Sequence, residues 1–167
     1  MAYFETIAAW VFKEYRVITW FIIHRTFDVS SARCRGDPQP TMTGHRILVV
    51  EDNERNLKLV RDVLQYAGFE VLEARTGERG VELAVQCLPD LVLLDLKLPG
   101  IDGEQALALM RNDDRTRRIP VVAVTASVMQ QDRARVLRAG FDGHLEKPIS
   151  VRALPGQVLE FLSRREP

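Results

Sequence analysis

The sequence predicts a doubly wound α/β domain: a five-stranded parallel sheet with five helices covering both faces. Three observations carry this. From Arg46 onward, short apolar runs alternate with segments of helical period. The runs are apolar throughout rather than at every second residue, as burial on both faces demands. Several of them also close on a carboxylate, a hydroxyl or a lysine, the polar groups expected where strands reach the rim of a sheet.

Taken in order, "RILVVED" reads as the first strand. "NLKLVRDVLQYAG" is the first helix, with Leu57, Val60, Leu64 and Ala67 on one face and a stop at Gly68. "FEVLEA" is the second strand, followed by the helix "GERGVELAVQCL", which ends before Pro89. The third strand, "LVLLD", runs four apolar residues straight into Asp95, and a Pro-Gly turn follows. Then come helix "GEQALALMRN", strand "VVAVTA", helix "QQDRARVLRAG", the short strand "GHLE" and helix "VRALPGQVLEFL".

Size and composition fit one globular domain. The chain has 167 residues, 46% hydrophobic and 28% charged, with 23 basic side chains against 23 acidic ones. This balance gives no support to direct nucleic-acid binding or general membrane-surface binding, which favour a basic excess. Cys34 and Cys87 lie in unlike contexts without CxxC spacing, so neither a disulfide framework nor a zinc site is expected. A reducing, cytoplasmic setting fits.

Residues 1–43 differ in character from the rest of the chain. Aromatics such as Trp10, Phe12, Tyr15 and Trp20 are broken up by Glu5, Lys13, Glu14, Arg16 and Arg25. The uncharged run Val17 to Ile23 falls far short of the ~20 residues that span a bilayer. A signal peptide fits poorly too, with Glu5 where a basic region belongs. "SSARCRGDPQPT" reads as a linker, and "MTGHRILVVEDN" as a natural domain start. We therefore expect residues 1–43 to be an extension, with Met42 the true initiator, residues 44–164 to be the folded domain and 165–167 a tail. The competing reading of the extension is an amphipathic helix over residues 8–21 that docks on a partner or a membrane surface.

In open parallel sheets, ligands bind beyond the carboxyl ends of the strands, near the point where the winding direction reverses. The residues there are Glu51 and Asp52, Asp95, Thr125 and Lys147. Gathered carboxylates repel, and a hard divalent cation with oxygen ligands relieves them. Mg²⁺ suits such a set because it needs few protein ligands and keeps several waters. Lys147 offers a compact cation for Asp95 or an anion bound to it, and Thr125 a hydroxyl for a phosphoryl oxygen. A metal, an ammonium and a hydroxyl around one carboxylate are what phosphoryl transfer to that carboxylate needs, which makes Asp95 the candidate acceptor.

"VVEDN", "VLLDLKLPGIDG", "VVAVTAS" and "EKP", in this order and at strand ends, resemble the response-regulator receiver domain of two-component signalling over about residues 44–164. The resemblance implies a flavodoxin-like fold with strand order 2-1-3-4-5. It implies Mg²⁺ held by Asp52 and Asp95, with Glu51 beside them and the backbone carbonyl of Lys97 as a further ligand. Thr125 and Lys147 would bind the phosphoryl group, and the Lys147–Pro148 bond would be cis. Such a module is no enzyme beyond catalysing its own phosphorylation and dephosphorylation. The donor would be a sensor histidine kinase or histidine phosphotransfer protein, docking near "NLKLVRDVLQYAG". A downstream protein target would read the face made by "QQDRARVLRAG", "GHLE" and "VRALPGQVLEFL". A phosphorylation-linked dimer stays open. "VEDNERNLKL" and "GHLEKPISV" look most like DivK-type single-domain regulators and hybrid-kinase receivers, and only 20 residues follow Lys147, too few for an output domain.

Each residue also has a plainer reading. Asp95 could simply open a turn, Glu51 and Asp52 could cap the first helix, Thr125 could be a packing residue and Lys147 a solvated turn residue. The set outweighs these. Two departures stand out. Where many receivers carry an aromatic switch residue, this chain has His144, which is smaller and titratable; its plainer reading is a polar residue on a short strand. Lys97 stands two residues after the acceptor, at a position that in this family helps set how fast phosphate is lost, and a long cation there would shield the acyl phosphate from attacking water; a phosphatase of the haloacid-dehalogenase type would need a second aspartate at the same place. Dinucleotide binding fails as well, because "VVEDNERN" has no glycine and places carboxylates where a pyrophosphate would lie. A phosphorylation-independent docking module built on the same fold remains the alternative.

Overall fold

The computed structural model describes residues 44–126 and 135–164. Five strands form within them: β1 (Arg46–Val50), β2 (Glu70–Ala74), β3 (Leu91–Asp95), β4 (Val121–Thr125) and β5 (Gly143–Glu146). All pair in parallel, in the order β2-β1-β3-β4-β5. The central strands β3 and β4 are buried at every position, and this is why their sequences carry no polar alternation. The helices are α1 (Glu54–Tyr66), α2 (Gly77–Cys87), α3 (Gly103–Asn112), α4, described over residues 135–138, and α5 (Leu154–Ser163).

Because successive strand residues point to opposite faces, the sheet divides its apolar side chains between two cores. Leu48, Val50, Leu94 and Ala123 pack with Leu83 of α2, Leu107 and Met110 of α3 and Val136 of α4. Ile47, Val49, Leu93 and Val124 pack with Leu57 and Leu64 of α1 and with Leu154 and Val158 of α5. Each such fully buried aliphatic side chain contributes about 1.5–3 kcal/mol over an exposed one. The chain passes from β1 outward to β2 and then back across β1 to β3. The winding direction therefore reverses between β1 and β3, and the crevice at their carboxyl ends is where Glu51 and Asp95 emerge.

Local chemistry adjusts several predicted boundaries. The cap of α1 is neither Glu51 nor Asp52 but Asn53, whose side-chain oxygen accepts from the Arg55 and Asn56 amides. An Asx oxygen at that position reaches the second and third helical amides, leaving both carboxylates outside the cap. Ala67, expected on the buried face of α1, is its C-cap. Residues 151–153, expected to be helical, form a turn, and α5 begins at Leu154. Pro155 lies in its first turn, where a missing N–H costs nothing. Cys87, buried at the end of α2, is disulfide-bonded, contrary to the expectation from spacing; Cys34 lies outside the described residues. So do the predicted extension over 1–43, its helix over 8–21, the first five residues of "QQDRARVLRAG" and the tail over 165–167. Among the described residues, no helix is long and apolar enough to cross a membrane.

Candidate functional site

Strand ends deliver the site. Asp95 is the last residue of β3, Thr125 the last of β4, and Lys147 follows β5 directly, its amide donating to the Thr125 carbonyl at 2.8 Å. Glu51 follows β1 and extends the pairing with β2 by donating its amide to the Ala74 carbonyl at 3.0 Å. Parallel pairing in register thus brings residues as distant in sequence as Glu51 and Lys147 into contact. The Lys147 ammonium lies 2.6 Å from Glu51 Oε2 and 2.5 Å from Asp95 Oδ2. The Lys147–Pro148 peptide is cis.

Glu51 and Asp95 are only 3% and 5% exposed, and such carboxylates persist because their oxygens are occupied. The Asn56 side-chain amide donates to Glu51 Oε1 at 2.9 Å, leaving Oε2 to Lys147. The Lys97 amide donates to Asp95 Oδ1 at 3.0 Å, leaving Oδ2 to Lys147. Both oxygens of the candidate acceptor are therefore oriented. Burial alone would pull the Lys147 pKa down, but its hydrogen bonds to Asp95 and Glu51 prevail and hold it above the ordinary lysine value. Lys147 stays a cation at every physiological pH.

Asp52 completes the cluster from the solvent side. One carboxylate oxygen from each of Glu51, Asp52 and Asp95 lies within 4.8 Å of the others. Three carboxylates against one ammonium leave excess negative charge in a cleft of hard oxygen donors, two buried and one exposed. That donor set fits Mg²⁺, with the exposed side left for water. The side chain of Lys97 is exposed; its backbone is what faces Asp95.

His144 is not part of this cluster. It sits on β5 in register with Ala123, its Nε2 4.0 Å from Glu146, and it lines a cavity of about 240 Å³ together with Ile149 and Gln157. Two residues with contacts in or beside the site were not singled out from sequence. Asn56 orients Glu51; its signal is an Asn one turn into a helix that follows an acidic strand end. Glu78, in the first turn of α2, reaches across 23 residues to the loop after Asp95 and left no local signal.

Residues 47–158 match the response regulator receiver domain. The polar-differentiation response regulator DivK of Brucella anthropi is 41% identical over 105 residues, 63% of this chain and 85% of that protein. The receiver domain of a Pseudomonas aeruginosa sensor histidine kinase, solved with a magnesium ion coordinated in its active site cleft, superposes with a TM-score of 0.67. It is 32% identical, over 72% of this chain and 98% of that one. The chemotaxis response regulator CheY4 of Vibrio cholerae, 22% identical over 70% of this chain and 98% of its own, shares the fold with a TM-score of 0.67. With the sheet order, the strand-end residues and the family match in agreement, the chain belongs to the response regulator receiver domains.

Proposed function

We propose that this protein is a DivK-like response regulator that takes a phosphoryl group onto Asp95 and signals through a change of surface. The observation that carries the proposal is the fixed carboxylate of Asp95. One oxygen is held by the Lys97 amide and the other by Lys147, at the end of a rigid buried strand. A nucleophile held in this way has its orientation supplied in advance, which is most of what phosphoryl transfer asks of a protein. In the transfer, an Asp95 oxygen forms the bond to phosphorus. The phosphorus–nitrogen bond of a donor phosphohistidine breaks, its electron pair returning to the imidazole. Glu51, Asp52, Asp95 and the Lys97 carbonyl would hold Mg²⁺, which when bound neutralises charge on the transferring oxygens. Lys147 leaves Asp95 Oδ2 for a phosphoryl oxygen, and the Thr125 hydroxyl turns toward another. The chain catalyses only its own phosphorylation and hydrolysis.

The donor class is a cytoplasmic sensor kinase or a histidine phosphotransfer protein. The acyl phosphate carries about −1.5 to −2 charges at pH 7 where the carboxylate carried one, a net gain of about one negative charge, and shifts a pre-existing equilibrium of the face formed by α4, β5 and α5, which a target protein reads. Incubation with Mg²⁺ and acetyl phosphate, followed by intact-mass analysis, tests the central step. The wild type is expected to gain one phosphoryl group, and Asp95→Asn, or the wild type with chelator, none. No adduct on the folded wild type would favour a docking module instead.

The exposed Lys97 side chain bears on the lifetime of that adduct. A cation there shields the acyl phosphate from attacking water, so Lys97→Asn is expected to lose phosphate about two- to fivefold faster, the worth of one solvent-screened charge. Equal or slower loss in the variant, followed by mass after donor removal, would refute the shield.

A further inference from the structure

The loop that joins β3 to α3, residues 96–102, carries the Lys97 peptide that faces Asp95, and it is packed against the start of α2. The Ile101 amide donates to Glu78 Oε1 at 3.0 Å. A Cβ on Gly77 would come within 2.5 Å of Ile101 Cγ1 and 2.6 Å of its carbonyl oxygen. Gly100 is in the left-handed region at φ +79°, and any side chain there would run into the Glu78 carboxylate. Gly77 thus leaves room for Ile101 and Gly100 for the Glu78 carboxylate, so the loop and the start of α2 come close.

We propose that Glu78 is a positioning residue for the phosphoacceptor site: it straps the 96–102 loop so that the Lys97 amide stays aimed at Asp95 and the Lys97 backbone stays beside the acidic cluster that would hold Mg²⁺. The proposal rests on the phosphoacceptor reading above. The loop is anchored at its far end by the Gly103 amide, which donates to the Leu96 carbonyl at 3.1 Å. Between these two ends the Glu78 bond sets the path of the backbone. The carboxylate is the ionised form that accepts best: the amide of Glu78 itself, the Ile101 amide and the Thr76 hydroxyl lower its pKa below the usual value. The plainer role is a first-turn charge favouring the N-terminus of α2. That role predicts an effect on helix stability and none on Asp95.

The full-length protein, Glu78→Ala and Glu78→Gln separate the two. Amide hydrogen exchange is read without metal, and Mg²⁺ binding by calorimetry. In Glu78→Ala, the Ile101 and Lys97 amides are expected to exchange faster and Mg²⁺ to bind about tenfold more weakly, the low end for an outer-shell partner of a metal site. Glu78→Gln keeps an accepting oxygen without the charge and is expected to restore both. A Glu78→Ala protein with wild-type Mg²⁺ affinity and wild-type exchange at Lys97 overturns the proposal, whatever happens to its melting temperature. So does a Gln variant that behaves like Ala, since the bond would then not be the cause. A wild type that binds no Mg²⁺ would sink the phosphoacceptor reading instead, and exchange at Lys97 would still decide whether Glu78 positions the loop.

Discussion

Replacing Lys147 with methionine is expected to destabilise the metal-free fold by about 3 kcal/mol and to slow phosphoryl uptake on Asp95 about a hundredfold. The ammonium is the cation shared by two buried carboxylates, at 2.6 Å from Glu51 and 2.5 Å from Asp95. Methionine fills a similar volume but leaves both carboxylates facing each other without a counter-charge, and breaking a buried pair from one side costs more than the pair ever contributed. The pH dependence follows from the raised pKa of Lys147. A group whose folded pKa lies above its unfolded value contributes fully below the unfolded value, 10.5, and its contribution is lost as pH rises through the folded one. The stability gap between wild type and variant attributable to Lys147 ionisation is therefore expected to be flat from about pH 6 to 9 and to close only above about 10.5. Mg²⁺ is expected to stabilise the variant more than the wild type, because it would supply the missing positive charge. Urea unfolding with and without Mg²⁺, across that pH range, checks the three stability outcomes, and the acetyl phosphate mass assay checks the uptake. A variant as stable as wild type in chelator would show that the carboxylates do not depend on Lys147.

Much of this site could be read from the order of residues because the sheet is parallel. Parallel strands all end at the same edge, so Asp95, Thr125 and Lys147 needed only to be recognised as strand ends to be placed together. The apolar runs marked those ends sharply: β3 and β4 are buried at every residue, and the first polar side chain in each closes the strand. Helix starts were less legible where two residues compete for the same role. Asp52 and Asn53 are both capable caps, and only the geometry of the turn selects Asn53. Least legible were contacts between loops. Nothing near Glu78 or Ile101 in sequence links them, because the bond follows from how α2 and α3 pack side by side over the sheet.

Gly103→Ala is expected to cost about 3 kcal/mol of stability, the upper part of the range for overpacking, and to slow phosphorylation of Asp95 about a hundredfold. A Cβ at this position would stand 2.5 Å from the Asp95 carbonyl oxygen, 2.8 Å from Leu96 Cα and 3.2 Å from the Asp95 carbonyl carbon. All three are backbone atoms, so no rotamer change can relieve the contact. Either the end of β3 or the start of α3 must move. The start of α3 is fixed by a capping box, in which Asp102 accepts from the Gln105 amide and the Gln105 side chain accepts from the Asp102 amide. The displacement thus falls in part on Asp95, and moving a nucleophile by even about 1 Å costs on the order of a hundredfold in rate. Gly156 in α5 is the control, because a Cβ there meets nothing within 4 Å. Gly156→Ala is expected to raise stability by about 0.5–1 kcal/mol through helix propensity and leave phosphorylation unchanged. Thermal unfolding and the acetyl phosphate mass assay on both variants read the contrast. If Gly103→Ala matched Gly156→Ala in both, the turn after β3 would have room to spare, and the fixed position of Asp95 would have to come from Lys97 and Lys147 alone.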